Sequence, residues 1–281
     1  MNLKHRPEIV DAMKETGLES DRRILLSVVV PCFNEADTLL ECVQRLLQIQ
    51  NRQLQVEIVI VDDCSTDDSG RIAEALSREF KEIKTVRHAA NRGKGAALRT
   101  GFRSALGDIV AVQDADLEYD PKDLLRLVEP IIEGRADAVF GSRFLSAGAH
   151  RVLYFWHYMG NRFLTFVSNM FTDLNLTDME TCYKVFRKQV IDQIEVEEHR
   201  FGFEPEVVAK LAHMNARIYE MGISYYGRTY AEGKKISARD GWRALYCIFK
   251  YNVAYLPYAL KAVLLATACG LAGLLLINLF F

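Results

Sequence analysis

From residue 24 onward the chain alternates short apolar runs with stretches in which apolar residues recur at helical spacing. Ile24 to Val30, Val56 to Val61, Ile83 to Val86, Ile109 to Val112 and Ala136 to Phe140 are the apolar runs, and they predict strands. Leu39, Leu40, Val43, Leu46 and Leu47 form one helical stripe between the first two runs, and Ile72, Ala73, Leu76 and Phe80 form another after the second. Strand, helix, strand repeated in this way predicts an α/β fold, a mostly parallel sheet with helices on both faces. Ligands of such sheets bind beyond the carboxyl ends of the strands, so chemistry is sought in the polar residues that follow each run.

A polar cluster follows every run. Pro31-Cys32-Phe33-Asn34-Glu35 comes after the first, Asp62-Asp63-Cys64-Ser65-Thr66-Asp67-Asp68 after the second and Asn91-Arg92-Gly93-Lys94-Gly95 after the third; Asp114-Ala115-Asp116-Leu117-Glu118 and Gly141-Ser142-Arg143 follow the fourth and fifth. Turn and cap preferences explain any one of these, but not five along one edge. Asp114, Asp116 and Glu118 are alternate acids at a strand end. They suit Mg²⁺ or Mn²⁺, hard cations that take oxygens from one or two carboxylates and fill their remaining positions with water and substrate phosphates. The predicted ligand is therefore a nucleotide diphosphate, with Ala115 among its contacts. Asp62 and Asp63 can accept from the imide or amine edge of a base. The glycines of Asn91 to Gly95 let backbone approach a phosphate while Lys94 supplies charge, although the spacing is not that of a P-loop. Arg143 can fork onto a diphosphate oxygen.

With 50% hydrophobic and 26% charged residues among 281, the chain buries a substantial core, which excludes disorder for most of it. A net charge of −2 argues against nucleic-acid binding. Locally the balance differs, since Gly227 to Lys261 holds seven Lys or Arg against two acids and points to phosphates or anionic lipid. Six scattered cysteines without metal-ligand spacing are read as reduced thiols. Residues 1–23 lack the long apolar core of a signal peptide. Ala262 to Phe281, by contrast, is 20 residues without a charge. That matches the roughly 20 needed to cross a bilayer, with Tyr255 and Tyr258 where an interfacial belt belongs and Lys250 and Lys261 where cytoplasmic anchors belong. Met159, Phe163, Phe166 and Met170, preceded by Tyr154, Phe155, Trp156 and Tyr158, fall at helical spacing that suits either a core stripe or an interfacial helix.

The motifs SVVVPCFNEADTL, VDDCSTDDSG, NRGKGAALRTG, QDADLEYDP and GSRF, in this order, resemble the family 2 glycosyltransferases of GT-A fold over roughly residues 24 to 240. Within that family the chain is most similar to the dolichyl-phosphate or polyprenyl-phosphate mannose and glucose synthases. The resemblance implies that Pro31, Phe33, Glu35 and Asp63 lie around base and ribose, that Asp114, Asp116 and Glu118 hold the metal, and that Arg143 touches phosphate. It also implies that Asp178, Glu180 and Lys184 lie on the acceptor side and that Arg228 and Lys234 of a basic loop hold the lipid phosphate. Glu118 stands where mannose synthases usually carry Gln, Cys64 where Gly or Asn is common, and Lys184 where Arg is often found, so the sugar stays open.

The expected activity is transfer of glucose or mannose, with inversion, from a UDP-glucose- or GDP-mannose-type donor to a polyprenyl phosphate at the cytoplasmic membrane face. A lipid phosphate has a second pKa near 6, about that of a phosphate monoester, and needs no general base to become a nucleophile. The expected organisation is an N-terminal extension (1–23), a catalytic domain (24–240, with possible interfacial helices at 151–173), a basic juxtamembrane segment (241–261) and a single span (262–281). An alternative is a transferase acting on a hydroxyl of a glycan or glycolipid. A nucleotidyltransferase would open with glycines after the first strand, and Pro31 to Glu35 contains none.

Overall fold

The computed structural model describes residues 23–145, 151–152, 154–228 and 238–255. β1 (Ile24–Cys32) is an aliphatic run buried without a break from Leu26 to Val30, as befits a strand covered on both faces. β2 (Leu54–Asp62) and β4 (Ile109–Val112) pair with it in parallel on either side, and β3 (Ile83–Arg87) extends the sheet in parallel beyond β2. The connections are α1 (Leu39–Leu47), α2 (Ser69–Glu79) and α3 (Lys94–Ser104). Leu39, Val43 and Leu46 of the first predicted stripe are buried, and so are Ala73 and Leu76 of the second. All five predicted strands are present.

The remaining chain forms α4 (Lys122–Leu127), α5 (Glu129–Ile132), β5 (Ala138–Ser142), α6 (Phe155–Thr172), β6 (Lys184–Arg187), α7 (Lys188–Ile191), α8 (Phe203–His213), β7 (Ile218–Gly222) and α9 (Ala238–Asn252). The apolar pattern predicts neither β6 nor β7, because four or five residues of mixed polarity show no period. β6 enters antiparallel between β4 and β5, and β7 pairs in parallel with β5, giving the order β3-β2-β1-β4-β6-β5-β7. This polarity decides the site. β5 still points the same way as β4, so the residues after it reach the same edge. Because β6 runs backwards, the segment before it reaches that edge too, and β7 delivers Ile223 to Arg228 there. Phe102 of α3 joins the two halves underneath, with its ring centroid 6.1 Å from Phe186 of β6 and 5.8 Å from Phe203 of α8.

α6 inverts the usual distribution. Asn161, Thr165 and Ser168 are buried, whereas Trp156, Met159, Phe163, Phe166 and Met170 are exposed. The predicted stripe is therefore an outward apolar face and not core. α9, which packs against α6, exposes Trp242, Tyr246 and Phe249. Among the described residues no helix is long and apolar enough to cross a membrane; the predicted span at 262–281 lies outside them, as do residues 1–22. The five described cysteines are unpaired.

Candidate active site

At the carboxyl edge of the sheet a cavity of about 970 Å³ opens, and the strand-end clusters line it. The first two clusters brace each other. Ser65 and Ser69 hydroxyls accept the Asn34 and Glu35 amides at 3.0 and 2.8 Å, and the Asn34 side chain accepts the Thr66 amide at 2.8 Å. Asn34, Cys64 and Leu117, just beyond β1, β2 and β4, have φ of +52°, +63° and +61°, a left-handed conformation costly for non-glycine residues. The departure at Cys64 thus falls where Gly or Asn is at ease.

Past β4, Asp114 accepts from Lys94 Nζ at 3.0 Å. Asp116 accepts from Arg228 Nη2 at 2.9 Å, and Glu118 accepts from the Arg228 amide at 2.8 Å and the Tyr225 hydroxyl at 2.7 Å. Glu35 approaches the same guanidinium at 3.5 Å. Arg228 is carried there by the segment after β7, which is tied down by the Tyr226 amide on the Glu118 carbonyl at 2.8 Å and by Tyr225 packed 5.2 Å from the Tyr119 ring. Burial, then the charges of Asp114 and Glu118, push the Asp116 carboxyl up to about 7 against the pull of Arg228. Negative charge is thus in excess, and the donors are hard carboxylate oxygens. That chemistry fits a divalent cation, although among the described residues no three acidic, His or Cys side chains converge tightly enough to hold one.

The glycine loop is packed closely against a second segment. A Cβ at Gly93, where φ is +89°, would stand 2.4 Å from the His199 carbonyl oxygen, and one at Gly95 2.3 Å from that of Glu198. The glycines admit the backbone of residues 198–200, and two loop amides, of Arg92 and Gly93, donate to Asp63 at 2.9 and 2.6 Å. Asp63 also meets the His88 ring at 2.7 Å. It lines the cavity as the residue that shapes this loop.

Arg143 lines the cavity with one edge closed. Its Nε and Nη2 form a fork onto Asp178, both at 2.7 Å, and its amide adds a third bond at 3.0 Å. Burial disfavours the guanidinium charge, but Asp178 more than compensates and holds Arg143 well above its ordinary range. Asp178 itself is fully buried and does not border the cavity, and here it anchors Arg143. Lys184 is likewise fully buried, donating to the Met179 and Thr181 carbonyls beneath the site, and burial lowers its pKa. Asp62 sits behind the edge, accepting from the Ser65 amide at 2.9 Å and pairing with Arg87 at 3.1 Å. Asp62, Asp178 and Lys184 brace the site from within, because a buried charge needs partners inside the fold, and none of the three borders the cavity. Glu180 does border the cavity, and burial followed by the charge of Glu204 pushes its carboxyl up to about 8.

Of the expected site residues, Pro31, Phe33, Glu35, Asp63, Lys94, Asp114, Ala115, Asp116, Glu118, Arg143, Glu180 and Arg228 line one cavity. Lys234 lies outside the described residues. Glu204, Tyr119, Tyr225 and Cys182 also line it and escape a strand-by-strand reading. Glu204 leaves one trace in the sequence, an acid in the apolar register of a helix.

A sheet with this strand order and a charged cavity at its carboxyl edge defines a GT-A glycosyltransferase fold. Residues 27–195 match the family model for glycosyl transferase family 2, and the chain belongs to that family. It is 28% identical over 233 residues to a dolichol-phosphate mannosyltransferase of Pyrococcus furiosus, spanning 81% of this chain and 64% of that protein. An undecaprenyl-phosphate mannosyltransferase of Micrococcus luteus is 26% identical over 216 residues, 73% of this chain and 85% of that one. The chain spans only 53% of a low-salt glycan biosynthesis hexosyltransferase of Haloferax volcanii, at 28% identity across 80% of its own length. The fold is also that of the Mycobacterium tuberculosis glucosyl-3-phosphoglycerate synthase crystallised with Mn²⁺, UDP and glucosyl-3-phosphoglycerate, with a TM-score of 0.64 and 17% identity over 88% of this chain and 86% of that one.

Proposed function

We propose that the protein transfers a hexose, with inversion, from a nucleoside-diphosphate sugar to a polyprenyl phosphate at the cytoplasmic face of a membrane. One observation carries this reading: a single cavity runs from the acids at the strand ends to Gly160 and Leu164 of α6 and Ala244 of α9, the two helices whose outer faces are aromatic and exposed. The polar end suits a nucleotide diphosphate, and the other lies beside a surface suited to lipid. Two relatives are named for transfer to polyprenyl phosphates, which supports the acceptor class. The segment 262–281 is proposed as the anchor.

In the reaction an oxygen of the lipid phosphate attacks the anomeric carbon as the bond from that carbon to the nucleoside diphosphate breaks. The electron pair leaves with the diphosphate. Asp114 and Asp116, with Glu118 behind them, would hold Mg²⁺ or Mn²⁺, which supplies charge neutralisation for the leaving diphosphate. Arg143, fixed by Asp178, presents its remaining N–H groups toward the same charge. Arg228 and Lys234 are assigned to the acceptor phosphate.

The test is transfer of labelled sugar from UDP-glucose and from GDP-mannose, in separate reactions with Mn²⁺, to a short polyprenyl phosphate, counted in the organic phase. Chelator-sensitive lipid product from one donor is the expected result. Asp116→Asn should lower that product by on the order of 10³-fold with the melting temperature retained, and a fully active variant would remove the metal assignment. Product on a glycan hydroxyl, with none on lipid, would favour the alternative acceptor.

A further inference from the structure

Lys94, Arg143, Arg200 and Arg228 are the lysines and arginines that border the cavity. Three of them are held by carboxylates. Lys94 lies 3.0 Å from Asp114 and 3.3 Å from Glu204, Arg143 is forked onto Asp178, and Arg228 pairs with Asp116, Glu118 and Glu35. The Arg200 side chain has neither an ion pair nor a hydrogen bond with any described residue, in a cavity rich in acids. Its backbone, by contrast, is fixed on three sides. The buried Glu206 of α8 accepts the Glu197 and Glu198 amides at 2.7 and 2.9 Å. The buried Glu198 carboxylate accepts from Arg243, Lys250 and Tyr251 of α9 at 2.6, 3.1 and 3.0 Å. The Ala96 amide of α3 donates to the His199 carbonyl at 3.2 Å. From this anchored segment the stem of Arg200 crosses the glycine loop, where a Cβ at Gly93 would stand 2.8 Å from its Cγ.

What Arg200 can bind follows from charge and place. A guanidinium only donates and carries a positive charge, so its ligand is an anion. An anion reaching the other three cations competes with the carboxylates that hold them, whereas at Arg200 it displaces only water. Because the backbone is set before the ligand arrives, binding has to order one side chain and no loop. Arg200 overlies the loop whose Lys94 holds Asp114, and that is the donor side of the proposed reaction; the acceptor phosphate is assigned to Arg228 and Lys234. We propose that Arg200 binds the diphosphate of the nucleotide sugar. This rests on the nucleotide-sugar reading above.

The experiment is calorimetric titration of the full chain in detergent with Mn²⁺ against UDP and GDP, with uridine and guanosine measured by competition, and the KM for a short polyprenyl phosphate taken from the transfer assay. Arg200 is exposed and unpaired, so Arg200→Ala should keep the wild-type melting temperature. Whichever nucleoside diphosphate the wild type binds should bind this variant about 10- to 100-fold more weakly, while its nucleoside and the polyprenyl phosphate KM change by no more than about twofold. Arg200→Lys should recover part of the loss, as a point charge without the fork. Diphosphate binding within about twofold of wild type, a loss shared equally by the nucleoside, or a rise confined to the acceptor KM would each overturn the inference. A wild-type protein that binds neither UDP nor GDP would instead overturn the proposed function, before any variant is made.

Discussion

The half of the molecule built on β1 to β4 and the half built on β5 to β7 use different means to reach one edge. In the first, each strand leads through its helix to a parallel neighbour, and each polar cluster follows directly from its own strand. In the second, an antiparallel strand reverses the chain and the ties are long-range: Tyr225 and Arg228 reach back to Glu118 across more than a hundred residues. Charge is divided between them. The first half contributes Glu35, Asp114, Asp116 and Glu118, and the second answers with Arg228; Lys94 of the first faces Glu204 of the second. Asp116 and Glu118 of the first half and Glu204 of the second take their cations from across the divide, so the site is completed only at the seam. The outer surfaces differ as well, with ion pairs such as Arg45 with Glu41 on α1 and aromatic rings on α6 and α9.

The comparison is open to breaking at four places. The largest effect is expected from Asp178→Ala, which leaves the Arg143 guanidinium buried without its partner; it should cost about 3–5 kcal/mol in denaturant unfolding. An unchanged midpoint would show that the second half does not depend on this pair. Arg228→Ala removes the cation that crosses the seam and should lower sugar transfer about 10²-fold, with little rescue by Arg228→Lys, which lacks the fork.

Glu198 sharpens the comparison through pH. Burial pushes its carboxyl up, but hydrogen bonds from Arg243, Lys250 and Tyr251 outweigh that and hold it at about 2, below the ordinary 4.5. A depressed carboxyl stabilises fully above its unfolded pKa and loses that contribution as pH falls. Glu198→Gln should therefore destabilise by about 2 kcal/mol at neutral pH. Its melting temperature should converge on that of wild type between pH 4.5 and 2, and a constant gap would rule out this role. The smallest effect belongs to the first half. Cys64→Gly relieves a left-handed backbone at the end of β2 and should raise stability by about 0.5–1 kcal/mol, after the entropy glycine adds to the unfolded chain. A loss would mean that the Cys64 side chain packs to more effect than its φ suggests.

Local patterns made the first half readable. Val28 to Val30 can only be a strand buried on both faces, and Asp114 and Asp116 follow their strand so closely that their place at the edge is settled with it. The helical stripe of α6 was legible as a helix but not in its direction, since Phe163 and Phe166 have the same spacing facing in or out. Glu204 gave no motif because its neighbours in the cavity, Lys94 and Glu180, lie far from it in the chain. Asp62, Asp178 and Lys184 looked like contacts because a charged side chain next to a site is indistinguishable in sequence from one that braces it.

The sequence by itself determined the strands and helices of the first half, the family, and the acidic strand end, because those depend on residues within a few positions of each other. Only the tertiary structure decided that β6 runs backwards, that Arg228 meets Asp116, that Asp178 locks Arg143, and that Gly93 and Gly95 make room for backbone. These are contacts between segments distant in the chain. Burial, charge pairing and strand polarity choose them together, and no local stretch carries all three.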